Sequence, residues 1–229
     1  CTAVGGYTNG EGTPLALAEA WNGTSWQLQI AGIPSDAASS RLSAVSCTST
    51  SPTTSICTAV GGYVDADTHT PLTMAESWSG TSWNLESTIN PSGGDDYGLA
   101  GVSCATASAC IAVGSDDDTG LSEVWNGSVW SVPSTPRPSG SLDSLSGVSC
   151  TAASVCTAVG SYTNASEGVM TVAEAWNGTS WKIQATANPA PASNNFLSGV
   201  SCLAAVCTAA GNYSPTGTST TETLVERYA

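Results

Sequence analysis

Three short motifs recur in fixed order along this chain, and a repeat of this kind limits the fold more tightly than any single residue can. The first reads Cys1-Thr-Ala-Val-Gly-Gly-Tyr7 and returns at 57–63, 110–116, 156–162 and 207–213, its starts 56, 53, 46 and 51 residues apart. The second reads Ala18-Glu-Ala-Trp-Asn-Gly-Thr-Ser-Trp26 and returns at 75–83, 122–130 and 173–181, with a degenerate copy, Val225-Glu-Arg-Tyr228, near the end. The third reads Leu42-Ser-Ala-Val-Ser-Cys47 and returns at 99–104, 145–150 and 197–202.

Each motif has the chemistry of a strand or a hairpin. Runs such as Leu145-Ser-Gly-Val-Ser-Cys150 and Cys57-Thr-Ala-Val-Gly61 are short, small or β-branched, and alternate in polarity. They are read as strands a and b. In the second motif, two strand-like runs flank Asn-Gly, the signature of a two-residue type I′ hairpin, which makes them strands c and d. Pro/Ser/Asn/Gly-rich connectors, for example 90–98 and 188–195, lead from d to the next a. No segment carries a 3.6-residue apolar period of helical length. Four strands per repeat of about 50 residues suit one propeller blade. The expectation is an all-β, five-bladed β-propeller with intra-blade disulfides, one domain over 1–229. Its repeats fall at about 1–40, 41–97, 98–143, 144–195 and 196–229, with the first and last incomplete.

The nine cysteines follow the same geometry. Cys47 with Cys57, Cys104 with Cys110, Cys150 with Cys156 and Cys202 with Cys207 each close a short loop between strands a and b. Cys1 is left unpaired in this chain, and its partner belongs to a strand a ahead of it. With five copies of b and c against four of a and d, the expectation is that a d and an a strand lie upstream of residue 1, or that another chain supplies them through self-association.

The combination of Leu-Ser-Gly-Val-Ser-Cys, Cys-Thr-Ala-Val-Gly-Ser-Tyr and Ala-Glu-Ala-Trp-Asn-Gly-Thr-Ser-Trp resembles repeats in large secreted β-propeller-like proteins of actinobacteria. The resemblance covers nearly the whole chain. It implies a fold and a compartment, and it brings no catalytic residues with it. A looser architectural likeness, to five-bladed lectins with Trp-bearing blades, points toward sugar.

Composition excludes several functions. Four Lys/Arg stand against 18 Asp/Glu, a net charge of -14, which repels phosphate backbones and anionic lipid; no nucleic-acid partner and no membrane insertion are expected. Many cysteines in a Ser/Thr/Gly-rich chain fit an extracellular, secreted protein. The single His69 makes a zinc site improbable in kind. There is no Gly-x-Ser-x-Gly elbow, no phosphate loop and no sialidase-type Asp box, so the chain is read as not an enzyme, with a two-carboxylate glycosidase as the one surviving enzymatic alternative. No cofactor is expected. Calcium is the only candidate ion, on the carboxylates of the turns.

Three sets of residues are candidates for function. The paired tryptophans, Trp21/Trp26, Trp78/Trp83, Trp125/Trp130 and Trp176/Trp181, account for all eight in the chain, and their strict position favours packing over ligand stacking. One acid recurs two positions before the first aromatic of each copy: Glu19 before Trp21, Glu76 before Trp78, Glu123 before Trp125, Glu174 before Trp176 and Glu226 before Tyr228. Such a ring could hold a cation, but repetition favours hydrogen bonds that set the register between blades. The b–c loops, at 8–13, 64–70, 116–120 and 163–168, vary in length and are acidic. They supply Asp65, Asp67, Asp116, Asp118 and Glu167 as candidate ligand-binding residues on a variable face. The leading expectation is a non-catalytic binding module for carbohydrate or a cell-surface or cell-wall partner, and the alternative is a structural component of an extracellular assembly or filament.

Overall fold

The computed structural model describes residues 1–228 apart from 52–53, 93, 95, 118, 137, 139 and 167; for 50, 51, 54, 140–143 and 193 only the backbone is described. Every regular element among the described residues is a β-strand, and the strands fall in chain order into five antiparallel groups, called sheets below, the last two of them joined as one seven-stranded sheet. The first holds β1 (Thr2–Thr8), β2 (Pro14–Trp21) and β3 (Trp26–Gln29). The second holds β4 (Ala37–Ser51), β5 (Thr54–Asp65), β6 (Pro71–Trp78) and β7 (Trp83–Glu86). The third holds β8 (Tyr97–Thr106), β9 (Ala109–Asp116), β10 (Thr119–Trp125) and β11 (Trp130–Ser131). The fourth holds β12 (Gly140–Ala152), β13 (Val155–Asn164), β14 (Val169–Trp176) and β15 (Trp181–Gln184), and the fifth β16 (Ala192–Leu203), β17 (Val206–Pro215) and β18 (Glu222–Tyr228). One parallel bridge, Val169 with Asn194, ties the fourth sheet to the fifth. The three complete sheets follow the order a-b-c-d; the first lacks an a strand and the fifth a d strand.

The core lies between sheets. In the second, third and fourth sheets strand b is central and buried on both faces, with Ala and Val of its Cys-Thr-Ala-Val-Gly motif pointing opposite ways. Val60 and Ala112 meet between the second and third sheets, Val113 and Ala158 between the third and fourth, Val159 and Ala209 between the fourth and fifth. Such small side chains let sheets approach closely. The a strands come closest of all, because Gly101 faces Gly147 and Gly147 faces Gly199 across the gap.

The conserved spacing of hydroxyls in the motifs becomes a clamp between sheets. The backbone N–H groups of Cys104, Cys150 and Cys202 donate to Ser46, Ser103 and Ser149 Oγ of the preceding a strand, at 2.9, 2.9 and 3.0 Å. Thr58 Oγ1 lies 3.5 Å from Cys110 Sγ, and Thr157 Oγ1 3.3 Å from Cys207 Sγ, repeating the contact one strand over. Disulfides join Cys47–Cys57, Cys104–Cys110, Cys150–Cys156 and Cys202–Cys207, and Cys1 is free and exposed.

Three sequence expectations need correction. The Asn-Gly pair does not make a two-residue type I′ turn: residues 22–25 form the loop, Asn22 N–H bonds Ser25 O, and only Gly23 has positive φ. The Asn22 carboxamide explains this, since its Oδ1 accepts from both Thr24 and Ser25 N–H and closes the loop in place of a tighter turn. Strand a starts ahead of its motif, β4 at Ala37 and β16 at Ala192, so part of the presumed connector 188–195 is sheet. A bulge in each a strand, between Leu42 and Ala44 and at its equivalents, absorbs the extra residue and lets pairing continue along b. Finally, Asp116 ends β9 and Gly120 lies in β10, so both are strand residues and not loop residues.

Candidate functional site

Pairing register aligns cysteines and tryptophans into one row across each sheet: Cys47, Cys57, Trp78, Trp83 in the second, Cys104, Cys110, Trp125, Trp130 in the third, Cys150, Cys156, Trp176, Trp181 in the fourth. Each row faces the preceding sheet. The two indoles of a pair sit 5.4–5.6 Å apart between centroids, tilted by 41–54°, a contact distance within the range of favourable aromatic pairs. Trp83, Trp130 and Trp181 are buried. Trp83 Nε1 donates to Gln29 Oε1 and Trp181 Nε1 to Ser122 Oγ, both at 3.0 Å, so most of the tryptophan surface is spent on sheet packing.

The repeated acids are spent the same way. Glu76, Glu123, Glu174 and Glu226 are buried, whereas Glu19 in the first sheet is half-buried. Glu76 Oε2 accepts from Gly32 N–H at 2.8 Å, Glu123 Oε2 from Ile89 N–H at 3.2 Å, and Glu226 Oε2 from Ala187 N–H at 3.2 Å. Every donor lies on the segment leaving strand d of the preceding sheet, so each carboxylate pins its neighbour's outgoing chain. Burial pushes the Glu76 carboxyl up to about 7, against the opposing Gly32 N–H bond. Burial likewise pushes Glu123 up to about 7, opposed by Ile89 N–H and the Thr73 hydroxyl. The remaining oxygens, Glu76 Oε1 and Glu123 Oε1, are buried with no hydrogen-bond partner. Burial and a bond to Glu226 raise the Tyr228 phenol. The acids stay one per sheet junction, and no group of three or more metal-capable side chains forms among the described residues.

The acidic b–c turns have their own economy. Asp65 Oδ1 accepts from Thr68 N–H at 2.7 Å, Thr68 Oγ1 at 2.8 Å and Asp67 N–H at 3.0 Å, and these bonds, the Thr68 backbone bond first, hold its carboxyl below the usual range. Asn9 and Asn164 do the same for the corresponding turns of the first and fourth sheets. The turn residue is thus selected for an acceptor that closes the loop. Asp67 is exposed beside it, and Asp116 ends β9 on another sheet. Asp118 and Glu167 lie outside the described residues.

Open space is found at the opposite rim, where the a–b and c–d turns emerge. A cleft of about 540 Å³ lies between the segment Leu28–Gly32 leaving β3 and the hairpin of β6 and β7. Trp78 and Trp83 form one wall and the segment from Leu28 to Gly32 the other, with Gln29, Thr81 and Ser82 adding polar groups. Leu28, on the edge strand β3, is 71% exposed and Ile30, just beyond it, 90%, unusual for aliphatic side chains. Further clefts of about 270 and 190 Å³ repeat at later junctions, with Trp125 and Trp176 in one and Tyr228 in the other. Sequence reasoning looked to the variable rim and missed this one. The available signal was the alternation Trp26-Gln-Leu-Gln-Ile30 on a strand at the end of its sheet.

No known protein family matches the chain, and no curated protein matches it. Among solved structures, one described as YCF48 bound to D1 peptide superposes with a TM-score of 0.47 at 12% sequence identity, over 91% of this chain and 60% of that one. The present chain therefore spans less than two thirds of that structure's length.

Proposed function

We propose that the chain is a non-catalytic extracellular binding module, a five-bladed propeller-like array of sheets that takes a carbohydrate in the cleft between its first two sheets. The cleft carries this reading. Its volume of about 540 Å³ is in the range of small-molecule sites, and it offers aromatic faces beside an amide and hydroxyls. An indole face stacks on the C–H surface of a sugar ring while Gln29, Thr81 and Ser82 meet its hydroxyls. The net charge of -14 selects against anionic polysaccharide, so the ligand class is neutral or amino sugar.

Compartment and fold support the same reading. Four disulfides point to an oxidising environment, and no helix among the described residues is long and apolar enough to cross a membrane.

The test is titration of neutral and amino-sugar oligosaccharides followed by calorimetry. Trp78→Ala and Gln29→Ala are each expected to weaken binding, Trp78→Ala roughly tenfold or more, because truncation of a central aromatic anchor has effects of that size. Binding that survives both changes, or the absence of any oligosaccharide binding, would overturn the proposal.

A further inference from the structure

A smaller cavity, about 150 Å³, lies between the second and third sheets, with Thr58, Ser77, Glu86, Trp125 and Trp130 in its lining. Two tryptophans thus stand beside a half-buried carboxylate and two hydroxyls. Trp130 is 3% exposed, and its Nε1 is buried with no hydrogen-bond partner. The preceding junction shows where such a donor is directed. Trp83 Nε1 donates to Gln29 Oε1 at 3.0 Å, and register sets Gln29 opposite Ala18 as it sets Glu86 opposite Ala75. Residue 86 therefore holds the acceptor position for Trp130 that residue 29 holds for Trp83. Glu86 is drawn off instead, its Oε1 accepting from Ser77 Oγ at 2.6 Å. The first sheet has Ala20 where the second has Ser77, so Gln29 meets no such rival. A buried donor without an acceptor is costly, and here an acceptor from outside the chain would satisfy it.

We propose that this cavity binds a small organic cation of the β-amino-alcohol class, a primary ammonium with a hydroxyl on the adjoining carbon. The ammonium lies against the indoles of Trp125 and Trp130 and donates to the Glu86 carboxylate and to the Ser77 and Thr58 hydroxyl oxygens. The ligand hydroxyl accepts from Trp130 Nε1, supplying the partner that Gln29 gives Trp83. A carboxylate beside two aromatic faces selects positive charge, and the volume suits a ligand, or the end of one, with few non-hydrogen atoms. Four Lys/Arg against 18 Asp/Glu leave few internal cations to pair with Glu86, and the net charge of -14 concentrates external ones. Amino sugars and ethanolamine both carry this group. The cavity shares no lining residue with the carbohydrate cleft, so neither inference rests on the other.

The experiment follows the Trp130 indole N–H by nuclear magnetic resonance in the whole, nitrogen-labelled chain, its signal identified by its loss in Trp130→Phe. That resonance reports this cavity and not the cleft. Ethanolamine, glucosamine, glucose and N-acetylglucosamine are titrated in turn at mildly acidic pH, where both amines are charged. A saturable shift with an amine is expected, and none with glucose or N-acetylglucosamine at the same concentrations. A response to glucosamine alone would make an amino sugar the source, and a response to ethanolamine alone a free or head-group amine. Glu86→Gln is the discriminating variant. It rebuilds the Trp83–Gln29 pair one junction later, so the melting temperature should hold or rise. Amine affinity should fall roughly tenfold or more with loss of the charge-assisted bond. No saturable shift with either amine, an equal response to N-acetylglucosamine, or unchanged amine affinity in folded Glu86→Gln would overturn the proposal.

Discussion

The first and third sheets are built from nearly the same motifs and have opposite physical circumstances. Glu123 and Trp130 lie against a preceding sheet; Glu19 and Trp26 face the side where no sheet stands. Trp130 is 3% exposed and Trp26 45%. Gly114 is pressed by a neighbouring carbonyl and Gly5 by nothing. The motif determines what a residue is suited to do, and position in the stack determines whether it does it. An isolated sheet of these small, polar-rich strands buries little by itself, so most of its stability comes from the neighbours it packs between.

The comparison can be broken most sharply at glycine. Gly114→Ala forces β8 off β9 or leaves a collision inside a buried sheet, so a loss of more than about 3 kcal/mol is expected, enough to abolish folding at modest temperature. Gly5→Ala should unfold at the same denaturant midpoint as the parent. Equal losses at the two sites would mean that the motif glycine matters for backbone conformation and not for strand approach.

Tryptophan gives the next largest contrast. Trp130→Ala removes a buried ring and leaves a cavity, with an expected loss of about 3–5 kcal/mol. Trp26→Ala, on the open face, should lose about 1 kcal/mol or less. Denaturant titrations of the two variants measure the difference directly.

The smallest effect is electrostatic. The folded chain raises Glu76 and Glu123 from an unfolded value near 4.5 to about 7, so the folded state binds more protons across that interval. Their contribution is fully present below about pH 4.5 and is lost as pH rises through about 7. The melting temperature is therefore expected to fall between pH 5 and pH 8. Glu123→Gln should flatten part of that slope and stabilise the protein at pH 8 by roughly 1–2 kcal/mol, while changing little at pH 4. Glu19→Gln should leave the melting temperature at neutral pH within about a degree. A slope unchanged by Glu123→Gln would show that the buried carboxyl is not what titrates.

Much of the architecture was legible because it is local. Strand identity, strand order and the four disulfides follow from spacing within a repeat: Cys104 and Cys110 can meet only if the intervening residues turn back. The rest was less readable for reasons that differ from residue to residue. Asn22 reads as half of a type I′ pair, yet its carboxamide closes a longer loop, a competition that neighbouring residue types do not reveal. Asp65 reads as a candidate ligand-binding residue, and its bonds to Thr68 in its own turn were not legible from residue type. The cleft escaped notice because its two walls, Leu28–Gly32 and the β6–β7 hairpin, are some fifty residues apart and belong to different sheets.

By itself the sequence determined the repeat, the all-β character, the short-range disulfides and the negative charge, since each depends on composition or on residues close along the chain. Tertiary structure alone decided which copy of each motif is buried, which carboxylates lose their solvent, and where space remains between sheets. Those outcomes depend on what stands in front of a sheet, and identical motifs cannot encode a difference that only their place in the stack creates.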